Sequence, residues 1–332
     1  MNTLALGEPG GFEIRVAELG ASWLSCQVPL AGARREVLLA PADPERQSGE
    51  GAYLGCTVGR VANRIGGSSF EIDGRRHVLP ANEGPHHLHG GPEGLHRRRW
   101  GVLHADRDAV RFGLVSPDGD QGYPGRLSMQ VTYRVDPARR ALSIEFSAET
   151  DALTPVCLTH HAYFNLDGHA SDVRRHRLRV AADALLPVDA AMIPLGSLLM
   201  VAGTPLDLRR LQSLPDAPDA HPQLARARGL DHCYVLDAAC ATMQVPAAEL
   251  VSADGRLGLR LFADSPGLQV YGGQHLAGHP GRDGAPLAAH AGIALEPQAF
   301  PDSVNRPEWR ADVMLAPGQR WQRRSEIVFF EP

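Results

Sequence analysis

The sequence places a pair of imidazoles and an isolated carboxylate in segments that otherwise have the character of β-strands. His160 and His161 stand side by side in LTHHAYFNL (158–166), and Glu296 precedes Pro297 in GIALEPQAFPDSVN (292–305). Imidazole and carboxylate groups are the side chains most often used to transfer protons near neutral pH. These two segments are therefore the first candidates for general acid–base chemistry.

Strand alternation separates the two histidines, because successive side chains of a strand point to opposite faces of its sheet. If 158–166 forms one strand, His160 shares a face with the apolar residues Leu158, Ala162, Phe164 and Leu166. His161 shares the other face with Thr159, Tyr163 and Asn165. This pattern predicts a core position for His160 and leaves a functional and a structural role for His161 both open.

The same reasoning applies to Glu296. In a strand, Ile293 and Leu295 share one face, whereas Ala294 and Glu296 share the other. Pro297 holds the preceding residue extended and predicts the end of the strand at this point. Glu296 is either a solvated edge residue or part of a site, and the long polar loop that follows it favours an ordered site.

Three further segments carry candidate ligands. His87 and His89 in HHLHGG (86–91) have the spacing of a same-face metal pair, although no acidic ligand lies at a telling distance in the sequence. The segment GRVANRIGG lacks the order of a dinucleotide-binding fingerprint, so Arg60 and Arg64 are interpreted as clamps for a ligand or a carboxylate. Asp231, in GLDHCYVLD, begins a short predicted strand, where a cap or turn role is the alternative.

The elements that must position these residues are mostly strands. SSFEIDGRRHVL (68–79) has the pattern of a hairpin around Asp73-Gly74, and 126–136 and 141–150 alternate with a period near two. Further strands are predicted in 251–264, 268–276 and 325–332. Short helices are predicted at 206–214 and 220–229. The pattern predicts an all-β fold, a large antiparallel β-sandwich with a few short helices, in a single domain over 1–332.

The composition removes several classes of function. The chain has 332 residues with 21% charged residues and a formal charge of −5, which provides no basic surface for nucleic acid or for an anionic membrane. It contains no lysine, so a Schiff-base, pyridoxal phosphate or P-loop lysine is excluded. The apolar stretch 184–203 is interrupted by Pro187, Asp189 and Pro194, which predicts that it does not span a membrane.

The cysteines and the N-terminus indicate the compartment. Five scattered cysteines with no CxxC pair are typical of buried thiols in a reducing environment. The first residues lack the basic and apolar regions of a signal peptide. A cytoplasmic protein is therefore expected.

Together the motifs resemble those of the aldose 1-epimerase (galactose mutarotase) family. They occur in the family's order between about residues 50 and 310: NRI, LHGG, THHAYFNL, GLDH, LQVYGG and ALEPQAFPDSVN. The resemblance implies a galactose mutarotase-like β-sandwich that interconverts the α and β anomers of a free aldose without a cofactor or a metal. One position departs from the family, which usually has Asn where this chain has His160.

Carried over by position, the resemblance implies Glu296 as general base and His161 as general acid. Sugar hydroxyls would be bound by Arg64, His89, Asp231 and Gln269, with Asn63 beside Arg64 and Tyr271 as an aromatic neighbour of the sugar. The ordinary pKa values of Glu and His leave the base ionised near neutrality, whereas the acid needs a nearby negative charge to keep its proton.

Other functions are compatible with the same residues. The alternatives are a sugar-binding or sensor protein without turnover, a hexose-6-phosphate mutarotase using Arg60 or the arginines at 97–99, and a glycoside hydrolase or lyase using Asp231 and Glu296. A metalloenzyme built on the His87 and His89 pair is a further alternative. The preferred aldose is not encoded in a recognisable pattern, and a monomer or a homodimer is expected.

Overall fold

The computed structural model describes residues 3–30, 32–43, 53–168 and 172–332. Within these ranges the chain forms 27 strands and one α-helix, together with several short 3₁₀ turns. The prediction of an all-β fold with antiparallel sheets and few helices is confirmed. No helix in the described ranges is long and apolar enough to cross a membrane.

The first nine strands precede residue 90, and the remaining strands occupy the rest of the chain. The strands of the first part are β1 (Thr3–Gly7), β2 (Glu13–Ala17), β3 (Ser22–Leu30), β4 (Ala33–Glu36), β5 (Thr57–Val58), β6 (Arg64–Ile65), β7 (Ser69–Ile72), β8 (Arg75–Val78) and β9 (His87–Leu88). The next are β10 (Gly101–Ala105), β11 (Ala109–Ser116), β12 (Leu127–Asp136), β13 (Ala141–Thr150), β14 (Thr154–Pro155), β15 (Thr159–His160), β16 (Tyr163–Phe164), β17 (Arg177–Val180), β18 (Ala184–Leu185), β19 (Leu199–Met200) and β20 (Gln212–Ser213). After helix α1 (Pro222–Ala227) come β21 (Asp231–Val235), β22 (Ala248–Val251), β23 (Gly258–Ala263), β24 (Gly267–Tyr271), β25 (Ile293–Gln298), β26 (Met314–Leu315) and β27 (Trp321–Phe330).

Two large sheets dominate the described chain. A nine-stranded sheet has the order β10-β11-β12-β13-β27-β23-β22-β17-β20, and a six-stranded sheet has the order β16-β25-β24-β21-β18-β19. Strands β1 to β4 form a third sheet in sequence order. One continuous cluster of buried apolar side chains contains residues from all three sheets, among them Phe112, Val131, Trp23, Leu268 and Leu295. The core of the sandwich therefore lies between the sheets.

The long hairpin predicted for 126–136 and 141–150 is present as β12 and β13, which pair from Leu127↔Thr150 to Asp136↔Ala141. Burial alternates along β12, as expected for a strand with one face in a core. The shorter predicted hairpin is present as β7 and β8, with Ile72 paired to Arg75 across a two-residue turn. Asp73 and Gly74 both have positive φ, which is the geometry of a type I′ turn.

The two helix predictions had different outcomes. Residues 220–229 contain α1, which starts with Pro222 and ends before Arg228 in the left-handed region. The prediction of a helix at 206–214 is wrong: this segment forms bends, and its end pairs with β17 as β20. Leu206 and Leu208 are both buried at a spacing of two, which is the period of an extended chain and not of a helix.

Candidate active site

The six-stranded sheet has one face in the core and a second face that carries polar side chains. On β25, Ile293 and Leu295 belong to the core, whereas Glu296 faces a cleft on the other side, as strand alternation predicts. The ladder aligns Glu296 with Gln269 of β24, and Gln269 with Cys233 of β21. A neighbouring row aligns side chains from four strands: Tyr163, Ala294, Tyr271 and Asp231. Candidate residues that lie far apart in sequence are therefore brought together by register.

Strand β25 ends one residue after Pro297, close to the end predicted from the proline. Strand β25 continues to Gln298, and Leu268 pairs opposite Pro297. On its other side β25 pairs with β16 only through Ile293 and Ala294, so the proline lies where no partner strand needs its missing amide. Glu296 is consequently a strand residue that is 2% exposed, and the alternative of a solvated edge is wrong.

The segment around His161 is not one continuous strand. It consists of β15 and β16, two residues each, which pair with β5 and β25 respectively. Between them, the His161 amide donates to the Cys56 carbonyl at 2.8 Å, and the His161 carbonyl accepts from the Gly55 amide at 2.9 Å. The backbone of His161 is therefore fixed although it lies outside regular strand pairing.

The alternation that separated the two histidines nevertheless holds. The ring of His160 packs in the core, with ring centroids 5.8 Å from Trp23 and 5.8 Å from Tyr133. Burial, followed by the charge of His161, lowers the pKa of His160 to about 3, so the ring is neutral near pH 7. The ring of His161 lies in the cleft, between Tyr53 at 5.7 Å and Tyr163 at 4.9 Å.

His161 and Glu296 form a buried pair, with 3.5 Å between Nε2 and Oε1. Burial raises the pKa of Glu296 well above its usual value; the charge of Asp231 raises it further, and that of Arg64 opposes the rise. Burial also lowers the pKa of His161 to about 3. These directions favour a neutral imidazole and a protonated carboxyl, which differs from the ionised base and charged acid expected from ordinary pKa values.

Arg64 connects three carboxylates around the cleft. Its Nε and Nη2 donate to the Glu83 carboxylate at 2.6 and 2.7 Å, and Nη2 lies 3.9 Å from Asp231 Oδ2. The charge of Glu296 also acts on Arg64. The other carboxylate oxygen of Asp231, Oδ1, accepts a hydrogen bond from Gln269 Nε2 at 2.5 Å. Arg64 and Asp231 are therefore pre-oriented by side chains at the cleft.

His89 and Asn63 form a second pre-oriented unit. Both residues have positive φ, and the backbone N–H of Asn63 donates to Nδ1 of His89 at 3.1 Å. Burial, followed by the charges of His161 and Arg64, lowers the pKa of His89 well below its usual value. In the resulting neutral ring the proton resides on Nε2, since Nδ1 accepts a hydrogen bond. His89 is thus a fixed hydrogen-bond donor at the cleft.

The tautomer of His89, with its proton on Nε2, affects the alternative that the protein is a metalloenzyme. His89, His161 and Glu296 have potential ligand atoms within 4.8 Å of one another, the one such group found among the described residues. Nδ1 of His89 accepts from the Asn63 amide, so only Nε2 could bind a metal. In the neutral ring Nε2 carries the proton and has no lone pair for ligation. The arrangement fits proton transfer and hydroxyl binding better than metal binding.

The predicted HxH pair does not form a unit. His87 lies against Tyr123, with ring centroids 5.4 Å apart, and its Nδ1 is 2.8 Å from the Pro80 carbonyl. His89 instead lies at the cleft, 5.2 Å from His161. The prediction of Arg60 as a ligand clamp is also wrong, since its guanidinium donates to Ser116 Oγ and to backbone carbonyls of 116, 117, 124 and 125.

All eight residues that the family resemblance implies for the site line one cleft of about 170 Å³. They are Asn63, Arg64, His89, His161, Asp231, Gln269, Tyr271 and Glu296. Sequence reasoning missed other lining residues, notably Tyr53, Glu83, His275 and His279. Tyr163 could have been found, because alternation placed it on the face of His161; Tyr53 and Glu83 lie in irregular segments whose partners cannot be read from periodicity.

The cleft of this strand-rich sandwich holds the buried His161–Glu296 pair and the pre-oriented Arg64. The family model described as aldose 1-epimerase matches residues 2–328. The chain belongs to the aldose 1-epimerase family.

Relatives and solved structures agree with this assignment. The chain is 41% identical over 328 residues to an aldose 1-epimerase of Escherichia coli K12, covering 98% of this chain and 94% of that protein. It is 37% identical over 305 residues to a galactose mutarotase of Rattus norvegicus, covering 90% and 85%. The crystal structure of an aldose epimerase homologue from C. elegans has a TM-score of 0.89 and 28% identity, covering 99% of each chain. A galactose 1-epimerase from Lactobacillus acidophilus has a TM-score of 0.83 and 30% identity, covering 98% and 93%.

Proposed function

We propose that this protein is an aldose 1-epimerase that interconverts the α and β anomers of a free aldose, with Glu296 as general base and His161 as general acid. The observation that carries the proposal is the buried His161–Glu296 pair, 3.5 Å apart, in a cleft lined by hydroxyl-binding groups. Glu296 lies within the β24–β25 ladder, and the backbone of His161 is hydrogen-bonded to Cys56 and Gly55.

The reaction requires two proton transfers at the anomeric centre. Glu296 takes the proton of the C1 hydroxyl while His161 gives a proton to the ring oxygen. The bond between C1 and the ring oxygen breaks and a C1 aldehyde forms. Rotation about C1–C2 presents the other face of the aldehyde, and closure returns both protons. Each positioned acid or base contributes about 10²- to 10⁴-fold.

The protonation state of the pair suits this cycle. The neutral pair and the ion pair hold the same single proton, so they differ only in its position between two atoms 3.5 Å apart. Burial favours the neutral pair, whereas a sugar hydroxyl that donates to Glu296 stabilises the carboxylate. Substrate binding therefore draws the pair toward an ionised base and a protonated acid.

The remaining groups bind the parts of the sugar that do not react. His89 supplies a fixed N–H, Arg64 supplies charged donors, and Asp231 is an acceptor. Glu296 Oε2 and Gln269 Oε1 are buried and have no hydrogen-bond partner among the described residues, so both are ready to accept from hydroxyls. Tyr271 provides an aromatic surface beside them.

Charge at the cleft favours a neutral sugar over a hexose 6-phosphate. Two carboxylates, those of Glu83 and Asp231, line the described cleft beside the buried Glu296, and the one guanidinium among its described lining residues, Arg64, is engaged by Glu83. A phosphate would have to displace that pair in an acidic surrounding. Among the other arginines considered for a phosphate, Arg97 lies 3.5 Å from Glu93 and Arg98 lies 3.3 Å from Asp120.

The proposal is tested by anomer exchange. Purified protein is added to a panel of aldoses, and interconversion is measured by NMR saturation transfer between the anomeric protons. Catalysed exchange of at least one neutral aldose is expected. No acceleration over buffer with any common aldose would leave a sugar-binding protein, and release of reducing sugar from a glycoside would instead support a hydrolase.

Three properties of the whole protein belong to the same proposal. Residues 1–332 act as one domain, since the buried core includes residues from the first strands to β27. The protein acts in the cytoplasm, in keeping with five buried cysteines. It works as a monomer or homodimer, which light scattering on the purified protein distinguishes.

A further inference from the structure

Glu83 makes the strongest contacts to Arg64. The Glu83 carboxylate accepts from Arg64 Nε and Nη2 at 2.6 and 2.7 Å, which is a bidentate arrangement. The Glu83 side chain is 38% exposed, whereas that of Arg64 is 10% exposed. The pair therefore reaches from the mouth of the cleft to a buried guanidinium and is not an ordinary surface ion pair.

The backbone fixes these two residues relative to each other. Arg64 pairs with Leu88 in the β6–β9 ladder. Leu88 in turn is bound through its N–H and its carbonyl to the side chain of Asn82, at 2.8 and 3.0 Å. Glu83 follows Asn82 and exchanges two backbone hydrogen bonds with His86 at 3.1 and 3.0 Å. The loop that carries Glu83 is therefore attached to the strand that carries Arg64.

We propose that Glu83 is a positioning residue for sugar binding: by holding two N–H groups of Arg64, it directs the remaining guanidinium N–H groups to the substrate and keeps Nη2 of Arg64 from moving closer to Asp231 than its present 3.9 Å. This inference rests on the proposed function, since it concerns the same cleft. Glu83 leaves Nη1 and the second N–H of Nη2 available. Asp231 Oδ2 is the nearest competing carboxylate, at 3.9 Å from Nη2.

Removing the charge of Glu83 has two expected consequences. Arg64 moves toward Asp231, because a buried guanidinium that has lost its carboxylate pairs with the next one. Both Arg64 and Asp231 are then withdrawn from the sugar hydroxyls, which weakens binding. Loss of the Glu83 charge also leaves the Arg64 charge less compensated, which favours the Glu296 carboxylate and lowers its pKa.

The test is Glu83→Gln, with Glu93→Gln as the matched control. Glu93 also pairs with an arginine, Arg97 at 3.5 Å, but lies on the surface with a side chain that is 58% exposed. Glu83→Gln is expected to raise KM about tenfold or more while kcat stays within about threefold, because binding is weakened and the proton-transfer pair is retained. The alkaline limb of the kcat/KM profile is expected at lower pH than in the wild type. Glu93→Gln is expected to change none of these.

A double-mutant cycle identifies the route of the effect. Arg64→Lys removes the planar fork that Glu83 holds, so Glu83→Gln should have little additional effect in that background. An unchanged KM in Glu83→Gln, or the same loss with and without Arg64→Lys, overturns the inference. If Glu83→Gln fails to fold, Glu83→Asp replaces it, and an unchanged KM in that shortened variant also overturns the inference.

Different experimental results would contradict the proposed function and the positioning role of Glu83. A wild-type protein without anomerase activity contradicts the proposed function. Affinity for a neutral aldose, measured by NMR titration, would still be expected to fall about tenfold in Glu83→Gln, because the role concerns binding. An active wild type with an equally active Glu83→Gln variant contradicts only the role of Glu83.

Discussion

At the scale of single residues, the proposed chemistry depends on two buried groups, His161 and Glu296, whose Nε2 and Oε1 atoms lie 3.5 Å apart. Replacing His161 with Asn, or Glu296 with Gln, removes one proton-transfer group and keeps a polar side chain. Each change is expected to lower kcat by about 10²- to 10⁴-fold, measured by saturation transfer. Near-normal turnover in either variant would refute the role assigned to that residue.

Stability provides the control for these variants. Because the pKa of Glu296 is raised in the folded state, folding binds a proton to this residue, and its contribution to stability falls as pH rises above the usual Glu value of 4.5. Glu296→Gln lacks that proton linkage and is expected to be as stable as the wild type at neutral pH, or more stable by about 0.5–2 kcal/mol. Urea denaturation distinguishes this result from loss of activity by unfolding.

The pH dependence of kcat/KM is expected to report the protonation of His161 and Glu296. Activity requires one proton on the pair, so the acid limb corresponds to addition of a second proton, on His161. The pKa of His161 is lowered by burial from 6.5 to about 3, so the acid limb is expected well below 6.5. The alkaline limb reflects loss of the last proton and is expected well above the usual Glu value. An acid limb near 6.5 in a buffer-corrected profile would contradict the burial argument.

His160 tests whether the neighbouring core position contributes to catalysis. Its neutral ring packs between Trp23 and Tyr133, and no proton transfer is assigned to it. His160→Asn is expected to keep activity within about tenfold and to lower the free energy of unfolding by about 1–3 kcal/mol through lost packing. A collapse of kcat in a folded His160→Asn variant would reverse the assignment of the two histidines.

Sequence reasoning was most successful where a side chain's face follows from alternation alone. His160 and His161, and likewise Leu295 and Glu296, were assigned to opposite faces correctly because a period of two holds even where regular pairing is interrupted. The Arg64–Glu83 pair could not be found in this way, since it depends on the path of an irregular loop. The pKa shifts of His161 and Glu296 could not be predicted from the sequence either, because they depend on burial.

At the scale of elements, the LHGG segment depends on close backbone approach. Gly90 has φ +84, and a Cβ placed there would lie 1.7 Å from the Gly59 carbonyl oxygen. Gly74, in the β7–β8 turn, has a similar φ of +75 but open space around a Cβ. Gly90→Ala must therefore separate two backbones, whereas Gly74→Ala adds only left-handed backbone strain.

The two substitutions make a matched comparison. Gly74→Ala is expected to cost about 1 kcal/mol in unfolding free energy, and Gly90→Ala about 3 kcal/mol or more. Because His89 precedes Gly90, the second variant should also raise KM, and the first should not. Urea denaturation and anomerase kinetics measure both effects. Equal losses of unfolding free energy in the two variants would show that the close approach at Gly90 does not affect stability.

Helices were the elements least predictable from sequence. Residues 220–229 contain local helix signals that survive in the fold, with Pro222 at the first turn and a His221 side chain that accepts from the Gln223 amide. Residues 206–214 have Leu208, Leu211 and Leu214 three residues apart, but Asp207 is engaged by Arg209 and the end of the segment joins the nine-stranded sheet. Tertiary pairing overrides a weak helical period there.

At the scale of the whole molecule, the general architecture was predictable and the strand connections were not. Turn signals and alternation indicated a strand-rich sandwich. They contain no information on which strands become neighbours, such as β13 beside β27 or β16 beside β25. These pairings join distant parts of the chain, so they depend on the complete core and not on local preference.

The attachment of His161 and Glu296 has a consequence for how activity is lost on heating. The His161 amide and carbonyl are bound to Cys56 and Gly55, and Glu296 lies within the β24–β25 ladder. Their amides should therefore exchange with deuterium only through large-scale opening, and not through fluctuations of a surface loop. Inactivation and global unfolding are then expected to proceed with the same rate constant at each temperature. A mutarotase activity that decays faster than the loss of tertiary circular dichroism would reveal a locally melting site.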